Sequence, residues 1–518
     1  MKSNLNKALK WMAKWLTSRL VITAILILGQ VVWMLLFFFQ LLDHISWLGV
    51  VVSILSAMLA LFVINRDENP AYKLSWVMVI TLLPVLGGPL YLLFGNKRPA
   101  RAMRTKIANE RVRTRPLLRQ TPAPMAKIQA QNPRVAGVSR YISNFAPYPV
   151  WENSQTKYYP VGDEMYLDML EDLKTAEHYI FLEYFIIEDG VMWQSILDIL
   201  TEKAAQGVDV RLMYDDMGSV TLLPANYTQQ MEALGIKCMA FNRFIPLVSV
   251  VMNNRDHRKI LVIDGHTGYT GGINLADEYI NQKLRHGHWK DTGLRVHGDA
   301  VWNFTVMFLE MWNTFRMTDP DYVPFHPHGN HPEAFESDGF VQPFGDSPLD
   351  NEPMSQNVYI ELLSLAHDYV YIYTPYLVID YAMQTALAMA AKRGVNVCLM
   401  TPGIPDKKII YQVTRSHYPA LIKAGVHVYE YTPGFLHAKA FVVDDVLAVV
   451  GTINLDFRSL YLHFECGAFL YGCQSIKALR DDALETIAKC RSVSLADCRP
   501  GLWGSISNAF LRIFAPLM

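Results

Sequence analysis

One group of polar residues occurs twice in this chain of 518 residues, with the same internal spacing each time. Every member of the second copy lies 180 positions after its counterpart (437 − 257), the two copies being His257, Lys259 and Asp264, and His437, Lys439 and Asp444. The repeat continues downstream, where Gly-Gly-Ile-Asn-Leu at 271–275 is answered by Gly-Thr-Ile-Asn-Leu at 451–455. A repeat at a fixed offset indicates a duplicated structural unit. The chain is therefore predicted to fold into two similar halves.

Strand-like segments recur in the same order in both halves. Residues 179–185 correspond to 370–376, and residues 207–213 correspond to 394–400, with a helix-like stretch between the two strands of each half. Strand, helix, strand order predicts an α/β fold. We expect each half to hold a mostly parallel sheet flanked by helices, and the two halves to pack together.

Each repeated histidine is expected to share a strand face with the lysine two positions later, because alternate side chains of a strand point the same way. Transfer of a phosphodiester group requires neutralised oxygens, an attacking group and a proton donor, which paired His and Lys residues supply. Imidazole, with a pKa of about 6.5, can attack when neutral and donate a proton when charged. The six repeated residues are the candidate catalytic set, although one copy alone would be an ordinary polar pair. Asn274 and Asn454 are predicted to donate amide hydrogen bonds to phosphoryl oxygens.

Asp264 and Asp444 complete the two motifs but lie at an odd offset from the histidine and the lysine. They precede turn-like residues, which favours a structural role at the end of a strand over a part in the chemistry. Arg-His-Gly-His at 285–288 has no nearby cysteine or patterned carboxylates, so it is interpreted as a solvated loop. The sequence predicts no metal site and no cofactor.

A histidine that acts at phosphorus is ordinarily oriented by a carboxylate, which fixes its tautomer. Two acidic residues outside the motifs are candidates for this role. Glu465 is predicted to orient His437, and Asp291 is predicted to orient His257.

The overall composition gives no indication of a nucleic-acid partner. The net charge is −1 and the sequence pI about 6.9, whereas nucleic-acid binders ordinarily carry a clear basic excess. Mean hydropathy is +0.12, and most of the apolar excess lies in the first hundred residues. The six cysteines form no Cys-x-x-Cys pair, which favours reduced thiols and fits a cytoplasm-facing protein.

Three apolar runs, at residues 21–42, 47–64 and 75–94, predict an N-terminal α-helical membrane segment. About 20 apolar residues in a helix span a hydrocarbon core about 30 Å thick. The first run is too long for a cleaved signal peptide. The third run contains Pro84, Gly87, Gly88 and Pro89, so we expect two full spans followed by a shallow hairpin or an interfacial helix. Three full spans are the alternative.

Basic residues predict the orientation of this segment. Five precede the first run and nine lie between Lys97 and Arg119, and such flanks ordinarily stay in the cytoplasm. An even number of crossings places both flanks, and the catalytic part, on the cytoplasmic side. The second flank would hold anionic lipid at roughly 1 kcal/mol per basic side chain, or act as a flank without lipid selectivity.

The predicted organisation has four parts: a membrane segment with a basic linker at 1–120, a first half at 135–330, a second half at 331–500, and a C-terminal amphipathic helix at 501–518. The last part places Trp503, Ile506 and Phe510 near one helical face. It is predicted either to lie in the membrane interface or to pack onto the catalytic core.

The motifs together resemble the phospholipase D superfamily, and in particular the bacterial cardiolipin synthases. The resemblance covers most of the chain and rests on many separate stretches. These are 69–95 in the membrane part, 183–186, 214–219, 257–259, 271–274, 289–292, 374–376, 435–439 and 454–459.

This resemblance implies that two phosphatidylglycerol molecules are condensed to cardiolipin and glycerol, through a phosphatidyl-histidine intermediate and without a metal or nucleotide. It implies His257 as nucleophile and His437 as general acid and then base, with the reverse assignment open. It also implies a multi-pass protein of the bacterial inner membrane that binds phosphatidylglycerol and anionic lipid, and allows a homo-oligomer. The chain departs from the family pattern at Gly272 and Thr452, where Ser is common, and at His463, where Asn is common.

Three alternatives remain at this point. Hydrolysis of phospholipid to phosphatidic acid, or a related phosphatidyl transfer, uses the same intermediate with a different acceptor. An inactive membrane scaffold is disfavoured because both motif copies are complete. A nuclease is disfavoured by the near-neutral charge and the membrane segment.

Overall fold

The computed structural model describes residues 28–29, 31–32, 46–95, 101–243, 254–350, 352–499 and 501–517. Most of the first apolar run, and the basic residues before it, lie outside these ranges. The chain divides into two compact units. The first comprises residues 1–98, 244–253 and 509–518, and the second comprises residues 99–243 and 254–508.

The described helices of the first unit are α1 (Ser46–Ile64), α2 (Pro70–Leu82) and α3 (Pro84–Phe94). The third apolar run thus forms two helices that break at Leu83, because Pro84 cannot continue the hydrogen-bond ladder of α2. Trp76 of α2 packs edge-on against Tyr91 of α3, with ring centroids 5.3 Å apart. Within the described residues, no helix combines the length and the apolar character needed to cross a membrane.

Helices flank the sheets of the second unit, and the C-terminal helix runs from it into the first. They are α4 (Arg101–Thr114), α5 (Pro122–Gln131), α6 (Pro133–Phe145), α7 (Gly162–Thr175), α8 (Val191–Ala205), α9 (Asp216–Ser219), α10 (Tyr227–Ala233), α11 (Val301–Phe315), α12 (Pro327–Asn330), α13 (Met354–Leu365), α14 (Tyr381–Lys392), α15 (Lys408–Lys423), α16 (Phe457–Tyr461), α17 (Ser475–Ala488) and α18 (Leu502–Phe514). Short 3₁₀ turns span Arg115–Leu118, Asp277–Ile280, Val323–Phe325 and Ala515–Leu517.

The first half is built on a seven-stranded sheet with strand order β1-β8-β6-β5-β2-β3-β4. Its strands are β1 (Ser154–Tyr159), β2 (Tyr179–Tyr184), β3 (Asp209–Asp215), β4 (Lys237–Phe241), β5 (Lys259–Ile263), β6 (Thr267–Gly271) and β8 (Gly293–Gly298). The short strand β7 (His288–Lys290) lies outside this sheet.

The second half is built on an eight-stranded sheet with strand order β17-β12-β11-β10-β14-β15-β16-β9. Its strands are β9 (Phe340–Asp346), β10 (Tyr369–Tyr373), β11 (Asn396–Pro402), β12 (His427–Tyr431), β14 (Ala440–Val443), β15 (Leu447–Gly451), β16 (Glu465–Tyr471) and β17 (Cys490–Ser492). Strand β13 (Gly434–Leu436) pairs with β7 in a separate two-stranded sheet.

The two halves are α/β as predicted, but the prediction of mostly parallel sheets is wrong. Only β2-β3-β4 and β10-β11-β12 run parallel, and the other neighbours in both sheets are antiparallel. The reason lies in the motifs themselves. Each strand that follows a His-x-Lys pair turns back within a few residues, at Asp264 and at Asp444, and a tight hairpin can only join antiparallel strands.

Helix α11 lies in the core between the two sheets. It packs against β2, β5, β6 and β8 of the first sheet and against β9 of the second. All its residues except Phe315 are buried. A helix that is buried on every side joins the two halves into one hydrophobic core.

Candidate active site

His257 lies at the junction of the two halves, immediately before β5. The chain that leads to it runs parallel to the chain that leads into β16 of the second half. The backbone N–H of His257 donates to the carbonyl oxygen of Phe464 at 2.9 Å, and that of Phe464 donates to the carbonyl oxygen of Arg255 at 2.8 Å. These bonds place His257 beside residues 463–465.

His437 occupies the equivalent position on the other side of the junction. Strand β13, which precedes it, runs parallel to β7 of the first half. The backbone N–H of His437 donates to the carbonyl oxygen of Lys290 at 2.7 Å. His437 therefore lies beside Asp291, in the same way that His257 lies beside Glu465.

The carboxylate partners are consequently exchanged between the halves. Nδ1 of His257 lies 2.9 Å from Oε1 of Glu465, and Nδ1 of His437 lies 2.6 Å from Oδ2 of Asp291. The prediction that Glu465 orients His437 and Asp291 orients His257 is wrong. It assumed partners within one half, whereas each histidine is held by backbone pairing to the carboxylate strand of the other half.

The two carboxylates are held differently. Glu465 also accepts hydrogen bonds from Ser459 Oγ at 2.7 Å and Thr452 Oγ1 at 2.5 Å. Gly272, which corresponds to Thr452 in the first half, lies against Asp291, and a Cβ there would be 1.9 Å from Asp291 Oδ1. Glu465 is therefore contacted by the hydroxyl group of Thr452. The shorter Asp291 is instead contacted by the backbone of Gly272, which has no side chain.

Both histidines are neutral in this environment. Burial, followed by the positive charge of Lys259, holds the pKa of His257 well below 6.5. Burial and Lys439 lower the pKa of His437 to about 4, against the opposing effect of Asp291. Where Nδ1–H is donated to Glu465, Nε2 of His257 carries the lone pair that a nucleophile needs. Nδ1 of His437 lies 2.6 Å from both Asp291 Oδ2 and Lys439 Nζ.

The two motif lysines are buried beside the histidines. Lys259 Nζ donates to the carbonyl oxygen of His257 at 2.7 Å, and Lys439 Nζ donates to that of His437. Lys439 Nζ also lies 4.0 Å from Asp291 Oδ2. Burial lowers the pKa of Lys259 to about 8 and that of Lys439 to about 7. An entering phosphodiester would favour the charged form of both side chains.

Asp264 and Asp444 bind backbone at the far ends of their strands. The carboxylate of Asp264 accepts from the N–H groups of residues 177–179 at 2.7–2.8 Å. That of Asp444 accepts from residues 367–369 at 2.7–3.0 Å. Both residues have left-handed backbone conformations, with φ +47° and +51°. They anchor the first strand of each parallel set to the hairpin that follows the His-x-Lys pair.

The side chains of Asn274 and Asn454 differ in their hydrogen bonds. Asn274 donates from Nδ2 to Tyr279 at 2.7 Å and accepts at Oδ1 from the N–H of Ile186 at 3.1 Å. These two bonds hold the loop after β2 and use one of the two N–H donors of the amide, so the second donor stays available for the predicted bond to a phosphoryl oxygen. Asn454 is 5% exposed, and its Oδ1 has no hydrogen-bond partner among the described residues.

Aromatic rings line the site on both sides, and they were not predicted from the motifs. Phe185 packs edge-on against His257 at 4.9 Å between ring centroids, and Tyr279 does the same to His437 at 5.4 Å. His463 and Trp289 lie 5.7 Å from His257 and 5.5 Å from His437, respectively. Each precedes a site carboxylate by two positions.

One group of described residues has ligand atoms close enough together to hold a metal ion. Nitrogens of His257 and His463 and an oxygen of Glu465 all lie within 4.8 Å of one another. The positive charge of Lys259 lowers the pKa of all three side chains, and the charges of Arg458 and Arg255 lower the pKa of His463. Their positive charges oppose the binding of a cation, so the donor set fits a metal poorly.

Two similar α/β halves that each bring one His-x-Lys copy to a shared junction define the phospholipase D class of protein. The family model "Cardiolipin synthase, PLD-like domain" matches residues 169–289 and 359–485, and the model "Phospholipase_D-nuclease N-terminal" matches residues 54–96. A cardiolipin synthase of Geobacillus kaustophilus is 36% identical over 471 residues, which cover 89% of this chain and 91% of the relative. The chain belongs to the cardiolipin synthase family of the phospholipase D superfamily, which confirms the resemblance drawn from its motifs.

Two further proteins are similar to this chain in sequence or in fold. An uncharacterized protein of Streptococcus mutans is 42% identical over 460 residues, covering 88% of this chain and 99% of the relative. A solved phosphatidylserine synthase of Haemophilus influenzae superposes with a TM-score of 0.55 at 14% identity, covering 74% of this chain and 97% of that one. At this identity the superposition shows a shared fold.

Proposed function

We propose that this protein is a phosphatidyltransferase that condenses two phosphatidylglycerol molecules into cardiolipin and glycerol. The observation that carries the proposal is the exchanged pairing of His257 with Glu465 and of His437 with Asp291. It supplies two buried, neutral and oriented imidazoles at one junction. Membership of the cardiolipin synthase family supports the choice of lipid.

The first half-reaction forms a covalent intermediate. Nε2 of His257 attacks phosphorus, so that a P–N bond forms while the bond to the glycerol oxygen breaks. His437, protonated once the anionic substrate has entered, gives its Nε2 proton to that oxygen, and glycerol leaves. Lys259 and Lys439 neutralise the phosphoryl oxygens.

The second half-reaction restores the enzyme. His437, now neutral, takes the proton of a glycerol hydroxyl on a second phosphatidylglycerol, whose oxygen attacks phosphorus. The P–N bond to His257 breaks as the new P–O bond forms. Glu465 and Asp291 keep each ring in the tautomer that leaves Nε2 at the reaction centre. Asn454 is the asparagine proposed to assist, because its buried Oδ1 has no hydrogen-bond partner among the described residues.

Lipid product analysis tests this function. The purified protein in phosphatidylglycerol micelles, with a chelator and no added metal, is expected to produce cardiolipin and glycerol. His257→Ala and His437→Ala should each abolish both products. His427→Ala, at an exposed histidine on β12, serves as the matched control and should keep wild-type activity. Phosphatidic acid as the only product would replace the proposal with hydrolysis, and unchanged lipid in the wild type would overturn it.

We further propose that residues 1–120 hold the enzyme in the bacterial cell membrane, with the catalytic part on the cytoplasmic side. Apolar side chains along α1 support this, since Trp47, Ile54 and Met58 are 65%, 53% and 62% exposed. Single cysteines at Lys97 and Asn330, in a protein whose Cys490 and Cys498 are replaced by Ser, should resist a membrane-impermeant thiol reagent in intact cells. Labelling of both without permeabilisation would reverse the orientation.

A further inference from the structure

His463 is a buried side chain of the site for which the proposed reaction has no use. Its side chain is 10% exposed. Neither Nδ1 nor Nε2 has a hydrogen-bond partner among the described residues, and Nδ1 lies 3.9 Å from Oε1 of Glu465, beyond hydrogen-bond range. Leaving a buried polar group unpaired is costly. Two unpaired nitrogens on one ring beside the nucleophile indicate that a ligand completes the bonding.

The position of His463 is fixed by backbone bonds to two arginine-bearing segments. Its N–H donates to the carbonyl oxygen of Arg458 at 3.0 Å, and the next residue donates to that of Arg255 at 2.8 Å. Arg255 is also bonded to Asp215 at 3.4 Å. The positive charges of Arg458, Arg255, Lys259 and Lys407 all act on the imidazole, so an anion is favoured over a cation beside it.

The charge state of the ring agrees with this interpretation. Burial, followed by the charges of Arg458 and Arg255, holds the pKa of His463 well below 6.5. A neutral imidazole still offers one N–H donor, and an entering anion would favour its protonation and so a second donor. The equivalent position in the first half, Trp289, has a buried Nε1 without a partner among the described residues but no second nitrogen.

We infer that His463, flanked by Arg255 and Arg458, forms a subsite that binds phosphate oxygens next to His257. The inference deepens the proposed function, because two phosphate groups meet in the reaction. One belongs to the phosphatidyl group being transferred, and the other belongs to the acceptor lipid. Either can supply the oxygens that His463 binds, and the two sources give different binding stoichiometries.

Binding of inorganic phosphate to the full-length protein in detergent, followed by calorimetry, tests the inference without requiring turnover. His463→Leu removes both ring nitrogens, His463→Gln restores a donor of similar reach, and His427→Leu is the matched control. If the subsite takes the acceptor phosphate, the wild type binds two phosphates per chain and His463→Leu binds one. If it takes the transferred phosphoryl group, the wild type binds one, and His463→Leu binds it about tenfold or more weakly.

Recovery of binding in His463→Gln would show that hydrogen bonding, not ring packing, is responsible. Equal stoichiometry and affinity in the wild type and His463→Leu would overturn the inference. Failure of the wild type to make cardiolipin would count against the proposed function alone, because the phosphate measurement does not depend on it.

Discussion

Glu465 accepts a hydrogen bond from Nδ1 of His257, although the two residues belong to different halves of the chain and are separated by 208 positions. The corresponding bond from His437 to Asp291 crosses the same junction in the opposite direction. Each motif histidine is thus bonded to a carboxylate that its own half does not provide. Packing of the two halves therefore brings each histidine to its partner.

Replacing Glu465 by Gln should lower kcat by about 100-fold or more while the protein stays folded. The amide keeps the size of the side chain but no longer stabilises the correct imidazole tautomer or the imidazolium. Asp291→Asn should behave similarly. Glu430→Gln is the control, because Glu430 is a buried carboxylate on β12 that accepts a hydrogen bond from Arg491 on β17. Wild-type kcat in Glu465→Gln would remove the carboxylate from the mechanism.

Gly272→Ala should reduce kcat at least tenfold, because its Cβ would lie 1.9 Å from Oδ1 of Asp291 and displace the carboxylate from His437. Gly137→Ala is the matched control. Gly137 lies in α6 with no atom within 4 Å of its added Cβ, so this change should stabilise the helix by about 0.5–1 kcal/mol. Equal activity in the two variants would contradict a tight fit at Asp291.

Asp444→Ala is expected to destabilise the protein by about 3 kcal/mol, since three backbone N–H groups lose a charged acceptor and Ala must adopt a φ of +51°. Asp444→Asn keeps one acceptor oxygen and tolerates the left-handed conformation, so it should lose less than half as much. Urea unfolding midpoints measure both. A loss of kcat in the fully folded Asn variant would instead give Asp444 a part in the chemistry.

The buried Lys439 should make the ligand-free protein less stable at pH 7 than at pH 10. Unfolded lysine keeps its proton up to a pH of about 10.5, whereas Lys439 in the folded protein has its pKa lowered to about 7. Between these values the unfolded state binds more protons, so this residue makes stability rise with pH by at most about 1.4 kcal/mol per unit. Lys439→Met lacks this dependence. The unfolding midpoint of Lys439→Met should therefore exceed that of the wild type by more at pH 7 than at pH 10. An equal difference between the two midpoints at both pH values would show that Lys439 stays charged.

The duplicated motif was sufficient to predict two α/β halves and the superfamily, and it singled out the histidines and lysines that the structure brings to the junction. These features depend on the spacing of the repeat along the chain. The predicted shared strand face was not found, because β5 begins only at Lys259 and His257 precedes it. The structural role suggested for Asp264 and Asp444 was likewise local, because it followed from the odd offset and the turn after it. The structure places both in backbone hydrogen bonds.

The exchanged carboxylates could not be predicted, because they depend on which segments pair across the junction. The sequence of β13 gives no indication that it will pair with β7 of the other half. The mixed sheets were missed for a related reason, since only the strands joined by helices were traced. Asn274 was assigned by its place in the repeat, and its bond to Tyr279 became visible only in three dimensions.

The exchange of partners across the junction gives this single polypeptide the internal arrangement of a two-fold symmetric dimer. In a dimer of identical subunits, each sequence position contributes the same residue to both sides of the reaction centre. A residue that is useful beside one imidazole then also lies beside the other. Fusion of two copies lifts that restriction. Trp289 and His463 occupy equivalent positions and differ, as do Gly272 and Thr452, so the two sides of this reaction centre are free to differ in a way that a dimer of identical subunits does not allow.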